Sequence, residues 1–270
     1  MNIVVLNTKG GVGKSTIATQ LIVPYLYDKY NKIVDFYEFD DENDDNEAFC
    51  NSQIINNIPV KVEKTDLREK VVDILINDSN NCVDIGANKS AKLLYNAIIE
   101  SGMISAIDLI VIPMMDGEVD AISAINLYLD IRKTSQSVNI LFILNRVNKN
   151  RDLYNQFEIF LGDNSGVFES AGLIENIQED DRHYILVEDS DAIKQSRKFA
   201  LTVYELAIMK MDLDAKIRQA LKDGSTKMEI KTLSFKKRVQ YDCVEFKKYI
   251  LDKAFKDIDT LIGDGAEKNV

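Results

Sequence analysis

Short, continuously apolar runs alternate along the chain with stretches whose apolar residues recur every three or four positions. The runs are residues 2–6, 33–39, 82–85, 107–113 and 139–144, with a weaker one at 184–187. They read as strands. Between them, residues 15–29, 66–77, 89–101, 118–134 and 152–161 read as helices, and a long helix is expected from about 190 to 211. Strands that are apolar along their length and separated by helices bury both faces, so the sheet is expected to be parallel. The predicted fold is α/β: a mostly parallel, doubly wound sheet with helices on both faces and right-handed crossovers.

Beyond about residue 212 the pattern changes. Lys222-Asp223-Gly224-Ser225 reads as a helix stop and turn. Residues 227–238 are basic, and 241–262 place Val244, Phe246, Ile250, Leu251, Ala254, Ile258 and Leu261 at helical spacing. The expected organisation is one domain over residues 1–211 and a helical C-terminal extension over 212–270.

Charge sharpens this division. The chain of 270 residues carries a net charge of −11. Residues 1–215 hold 20 basic and 35 acidic side chains, or −15, whereas 216–256 hold 12 and 5, or +7. Such asymmetry marks either a solvated helical face or a surface for an anionic partner. Three separated cysteines, Cys50, Cys82 and Cys243, argue against a disulfide framework, a zinc site or a cysteine-held cluster. The single histidine, His183, sits in a polar stretch and reads as a surface residue. No apolar run approaches the ~20 residues that span a bilayer. The N-terminus has no charged-then-apolar leader, so a cytoplasmic protein is expected.

The chemistry concentrates behind the first strand, at Lys9-Gly10-Gly11-Val12-Gly13-Lys14-Ser15-Thr16. Glycines let backbone N–H groups turn inward around phosphates, and a helix beginning near Lys14 adds its dipole. Lys14 suits the β- and γ-phosphates, and the Ser15 hydroxyl suits Mg²⁺. The usual phosphate-loop pattern has a glycine where Thr8 stands, and here a second lysine, Lys9, opens the loop.

With that early lysine, the loop resembles the deviant Walker A loop of the ParA/MinD family of P-loop ATPases. The resemblance covers roughly residues 1–210. It implies ATP and Mg²⁺ as ligands, hydrolysis, and an ATP-dependent homodimer in which Lys9 reaches the partner's phosphates. Gly10, Gly11, Val12, Gly13, Lys14, Ser15 and Thr16 would cradle the nucleotide. Asp40 matches the family's aspartate that activates water, although Asp41-Glu42 stands in place of the usual Pro-Gln. Asp84, in Cys82-Val83-Asp84-Ile85-Gly86-Ala87, matches the Walker B aspartate that holds Mg²⁺; Gly86-Ala87 replaces a common Pro-Pro. That variant is similar to members linked to plasmid stability or conjugative transfer. Asn145 matches an asparagine that hydrogen-bonds the adenine edge.

Three roles remain open on this reading. The first is a DNA-segregation or positioning ATPase released by a stimulating protein partner, with non-specific DNA on Lys222, Lys227, Lys231, Lys236, Lys237 and Arg238. The second is a nucleotide switch or accessory protein of conjugative transfer with little turnover. The third is a membrane-surface positioning ATPase. For that role the 241–262 helix is poorly suited, because its polar face carries a net charge of about −1 rather than a basic excess.

Overall fold

The computed structural model describes residues 1–39, 49–61, 66–86, 89–165 and 170–267. Asp40, the acidic stretch that follows it, and Ala87 lie outside the described residues. Seven strands form one parallel sheet: β1 (Asn2–Val5), β2 (Val34–Phe39), β3 (Ile55–Pro59), β4 (Asn81–Ile85), β5 (Leu109–Met114), β6 (Asn139–Val147) and β7 (Tyr184–Glu188). Their spatial order is β3-β2-β4-β1-β5-β6-β7. The chain works outward on one side of β1, returns to β4, and then builds the other side from β5. The switch point therefore lies at β1, and ligand crevices of open α/β sheets form at the carboxyl ends of strands at such a point.

Alternation along β1 sorts the two core layers. Val4 and Leu6 join Phe39, Val83, Ile112 and Phe142 against the helices Leu67–Ile76, Lys89–Ser101 and Glu118–Thr134. Ile3 and Val5 join Phe36, Val111, Ile143 and Val187 on the other face. That second face is covered by the helix after β1, which runs as Lys14–Ile17, a π-helical turn at Ala18–Ile22, and Val23–Tyr30.

The strand absent from the sequence reading is β3. Its segment Ile-Asn-Asn-Ile-Pro has no apolar run, because it is an edge strand with half-exposed side chains. Pro59 is tolerated there, since an edge position needs no N–H on its open side. The helix expected from 190 to 211 is not continuous. It divides into Asp191–Ser196, a 3-10 turn at Arg197–Phe199, and Val203–Ile208. Ala200 takes a left-handed φ of 53°, and Thr202 with Glu205 forms a capping box that starts the next helix. The Thr-x-x-Glu signature was present in the sequence. The expected helix at 152–161 is likewise two short helices, Leu153–Gln156 and Glu158–Leu161.

The C-terminal extension is helical. Leu213–Lys222 leads to a turn at Gly224 (φ 70°), and a second capping box, Thr226 with Glu229, opens one long helix. It runs as Lys227–Phe246, a π-helical turn at Lys247–Leu251, and Asp252–Glu267. The separate segments read at 227–238 and 241–262 are thus one helix. Val239, Phe246, Leu251, Phe255 and Ile258 are buried in the second core layer, whereas Val244 is exposed. At ~2 kcal/mol per large apolar side chain, these five contribute on the order of 10 kcal/mol. That is comparable with the whole stability of an ordinary domain. Polar ties reinforce the contact: Tyr25 Oη and Lys29 Nζ both donate to Asp259 Oδ1. No helix of the described residues is long and apolar enough to cross a membrane.

On the opposite side, Arg132 and Asp181 form a bidentate pair, Nε to Oδ2 at 2.7 Å and Nη2 to Oδ1 at 2.8 Å. Tyr128 Oη adds a third bond to Asp181 at 2.8 Å. Burial works to raise the Asp181 pKa, but the Arg132 and Tyr128 bonds outweigh it and hold the carboxyl below its usual range. A carboxyl lowered on folding adds stability above its unfolded value, near 3.9, and loses it as pH falls through the folded value. Asp181→Asn is expected to cost roughly 3–5 kcal/mol by urea unfolding at pH 7, because Arg132 stays buried without its counter-charge. Part of that difference is expected to disappear below pH 4; a difference that grows on acidification would contradict the pairing.

Candidate functional site

The end of β1 is tied down before the loop begins. The Leu6 amide donates to Val111 O at 2.9 Å, the last main-chain bond from this strand to β5. Pro113 lies past that point, so its missing N–H leaves no gap, and its carbonyl accepts from Asn7 Nδ2 at 2.8 Å. Asn7 is fully buried, and its oxygen accepts from the Lys9 amide and from Ser123 Oγ, each at 2.9 Å. Thr8 Oγ1 meets the same Ser123 hydroxyl at 2.8 Å. This explains a departure from the usual pattern. Thr8 has no positive φ that would demand glycine, and its hydroxyl anchors the loop to the helix Glu118–Thr134.

The left-handed positions fall on Gly11 (φ 81°) and Gly13 (φ 90°), and Gly13 is the N-cap of the helix that starts at Lys14. Only glycine enters that region without strain. Lys14 is 6% exposed, and its Nζ donates to the Lys9 carbonyl at 3.0 Å. The ammonium therefore lies across the loop rather than out in solvent. The Lys9 main chain is held at both ends by these bonds, while its side chain is exposed. Ser15 is exposed at the mouth of the loop.

Asp84 is 2% exposed at the carboxyl end of β4, in register with Val5 of β1 and Glu38 of β2. The sheet thus brings it beside the strand that feeds the loop. Cys82, two residues earlier, lies on the same side of β4, packed under the loop helix with its sulfur 3.9 Å from Ala18 O. Burial, with a smaller effect from Asp84, pushes its thiol well up from the usual range. It is a packed apolar group rather than a nucleophile.

Asn145 is brought to the loop by a bulge in β6. The register with β7 shifts between Asn145 and Val147, and Arg146 between them takes a left-handed φ of 56°. Gln156 holds the bulge, accepting from the Asn148 amide and donating to Arg146 O. Asn145 is 4% exposed; its Nδ2 donates to Val12 O at 2.9 Å and its Oδ1 accepts from the Arg146 amide at 2.9 Å. In this state it braces the loop from beneath. A contact with an adenine edge, which the resemblance implies, would use the amide's second N–H or the second lone pair of its oxygen. Beside it, the strand ends open a cleft of about 550 Å³ lined by Met115, Asp116, Arg146, Asn148 and Ser190 among others.

The residues missed in the sequence are Asn7, Ser123 and Gln156. None belongs to a motif, and their roles come from bonds across more than 100 residues or within a bulge. Of the six basic residues assigned to an anionic partner, Lys222, Lys227, Lys231, Lys237 and Arg238 are exposed and Lys236 is half-buried. They are not equivalent. Lys237 pairs with Asp214, holding that carboxyl below its usual range, while Lys236 lies over Phe199 and Arg238 over Phe235.

The sheet order, the glycine loop after the central strand and the helix behind it define a phosphate-loop α/β fold. Its structural neighbours are ATPases of the ParA/MinD family. Apo McdA from Cyanothece matches with a TM-score of 0.53 at 14% identity, over 76% of this chain and 92% of that one. The cell division ATPase MinD from Pyrococcus furiosus gives 0.49 at 14% identity, over 77% and 92%. A ParA family ATPase from Chlorobium tepidum TLS gives 0.48 at 14% identity, over 76% and 91%. No family model matches the sequence, and no curated protein matches it. At these identities the likeness is one of fold, and it rests on the first of the three.

The loop geometry makes a separable prediction. A Cβ on Gly13 would lie 2.1 Å from Asn145 Nδ2, whereas one on Gly11 meets nothing within 4 Å. Gly11→Ala should therefore cost only the left-handed backbone, ~1–2 kcal/mol, and Gly13→Ala clearly more. Adding Asn145→Ala to Gly13→Ala should recover part of the excess, a coupling of roughly 1 kcal/mol in a double-mutant cycle. Strict additivity of the two changes in chemical unfolding would remove Asn145 from the loop.

Proposed function

We propose that this protein binds ATP at residues 9–16 with Mg²⁺, hydrolyses it, and couples the cycle to self-association. The reading is carried by one observation: Lys14 lies folded over a loop with left-handed glycines at 11 and 13, at the end of the central strand. A cradle of this kind has inward amides, a helix N-terminus and a buried ammonium, all suited to a polyphosphate. The donor set also fits Mg²⁺, a hard cation that takes oxygen ligands. Ser15 supplies a hydroxyl at the loop mouth, and Asp84 a buried carboxylate at the neighbouring strand end. The ion, when bound, neutralises charge on the β- and γ-phosphate oxygens.

The remaining work falls on the chain itself. Lys14 neutralises the phosphates, and the amides of residues 10–16 orient them. Asp40 would hold the attacking water by accepting its proton in a hydrogen bond, as the resemblance implies. Asn145 fixes the loop, and the strand-end cleft takes the nucleoside end. Lys9, pinned through its main chain and exposed at its tip, is suited to reach a second copy's phosphates. The biological role proposed is DNA or plasmid segregation or a related positioning task, with a stimulating partner and non-specific DNA contact through the basic residues at 222–238. The negative body of the chain restricts that contact to this segment.

Four measurements test this proposal. Lys14→Ala should weaken ATP binding roughly 10- to 100-fold, the loss of a charge-assisted bond at a polyphosphate. Asp40→Ala should keep binding and lower phosphate release; equal, near-zero release from wild type and Asp40→Ala favours the switch reading instead. Lys9→Ala should bind ATP as a monomer but fail to dimerise by light scattering with a non-hydrolysable analogue, and normal dimerisation would remove the cross-dimer role. A gel shift with ATP and Mg²⁺ at low salt should show DNA binding that weakens steeply as salt rises; no shift at any salt would exclude the segregation role.

A further inference from the structure

Arg197 touches the loop helix from a distant segment, and no residue motif assigns it a part. It is the first residue of the 3-10 turn Arg197–Phe199, an exposed position. Its Nη2 donates to Thr16 Oγ1 at 2.9 Å, across 181 residues of sequence. Thr16 follows Ser15 on the first turn of the helix, so the guanidinium lies at the start of that helix.

The turn is held there by bonds on both sides. Before it, Ser196 is fully buried and donates to Ile193 O at 3.1 Å. After it, Ala200 reverses the chain in a left-handed conformation, and the Val203 amide donates to Gln20 Oε1 at 2.8 Å. Gln20 lies in the π-helical turn of the loop helix itself. Glu205 then accepts from Ser52 Oγ and the Gln53 amide, fixing the same segment to the chain before β3. A left-handed alanine costs ~1–2 kcal/mol relative to the ordinary region. The fold accepts that strain while bringing a cation to the phosphate loop.

We infer that Arg197 is a third cationic ligand of the bound nucleotide, contacting the phosphate nearest the nucleoside. The inference rests on the loop being a nucleotide site. On that reading Lys14 would serve the β- and γ-phosphates, and Ser15 would hold the metal. Thr16 is turned about 100° from Ser15 around the helix axis, which would leave it for the remaining phosphate. An arginine fork matches two phosphate oxygens at once, which a lysine cannot do. The site would then recognise ADP and ATP through the same arginine, leaving discrimination between them to the lysines and the metal.

Isothermal titration with ADP and with a non-hydrolysable ATP analogue, each with Mg²⁺, tests the assignment. Arg197→Ala should weaken both by the same factor, about tenfold or more. Arg197→Lys should recover part of the loss, and Arg197→Gln, which keeps a donor for Thr16 but no charge, should not. Thr16→Val should lose less than Arg197→Ala, because the arginine remains. The unliganded melting temperature of Arg197→Gln checks that the fold is intact. Wild-type affinity in Arg197→Ala and Arg197→Gln overturns this inference alone. A loss confined to the triphosphate overturns it too, by moving Arg197 to the terminal phosphate. Failure of wild type to bind either nucleotide overturns the site reading and this inference together.

Discussion

A strand paired on both edges and covered on both faces can release its chain only over the end of the sheet. For β1 that end lies at the switch point, between β4 and β5. The next residues must turn sharply, satisfy their own amides and enter a helix that covers the sheet. Left-handed glycines at 11 and 13 solve the steric problem. Turns of this kind can aim successive main-chain N–H groups at an anion, so the demand of the fold and the proposed chemistry meet in one loop.

The surroundings of the loop follow from that constraint. Asn7, Thr8 and Ser123 fasten its start to the sheet end and to a helix on one face. Asn145 props its middle from a bulged strand. The helix it launches belongs to the opposite layer, where the long C-terminal helix meets it through Tyr25, Lys29 and Asp259. A change in the loop is thereby mechanically connected to both layers. The C-terminal helix contributes a share of the core comparable with the stability of the whole, so it is part of this machinery and also carries the basic face.

Much of this was legible in the sequence, and the reasons are physical. Central strands such as β1, β5 and β6 announce themselves because burial on both faces forces continuous apolar runs. The loop was legible because its backbone demands glycine and because lysines at 9 and 14 bracket those glycines. β3 was not, since an edge strand needs neither. The break at Ala200 was hidden because helix periodicity continues across it and only the Thr202–Glu205 cap betrays it. Asn145 was singled out by resemblance for a different contact, and its bracing bonds depend on a bulge at Arg146, a non-glycine residue with no sequence signal for positive φ. Asn7, Ser123 and Arg197 act through contacts that only the folded chain creates.

The central claim is that the main-chain amides of residues 10–16 hold a nucleotide's phosphates. A titration of Mg²⁺ and ADP into uniformly ¹⁵N-labelled protein, followed by TROSY spectra, reads those amides directly. The account predicts saturable shifts concentrated on residues 10–16, with β3 and the turn at Gly224 unmoved. Saturable binding that leaves these amides in place, or no binding at any concentration reached, would contradict it.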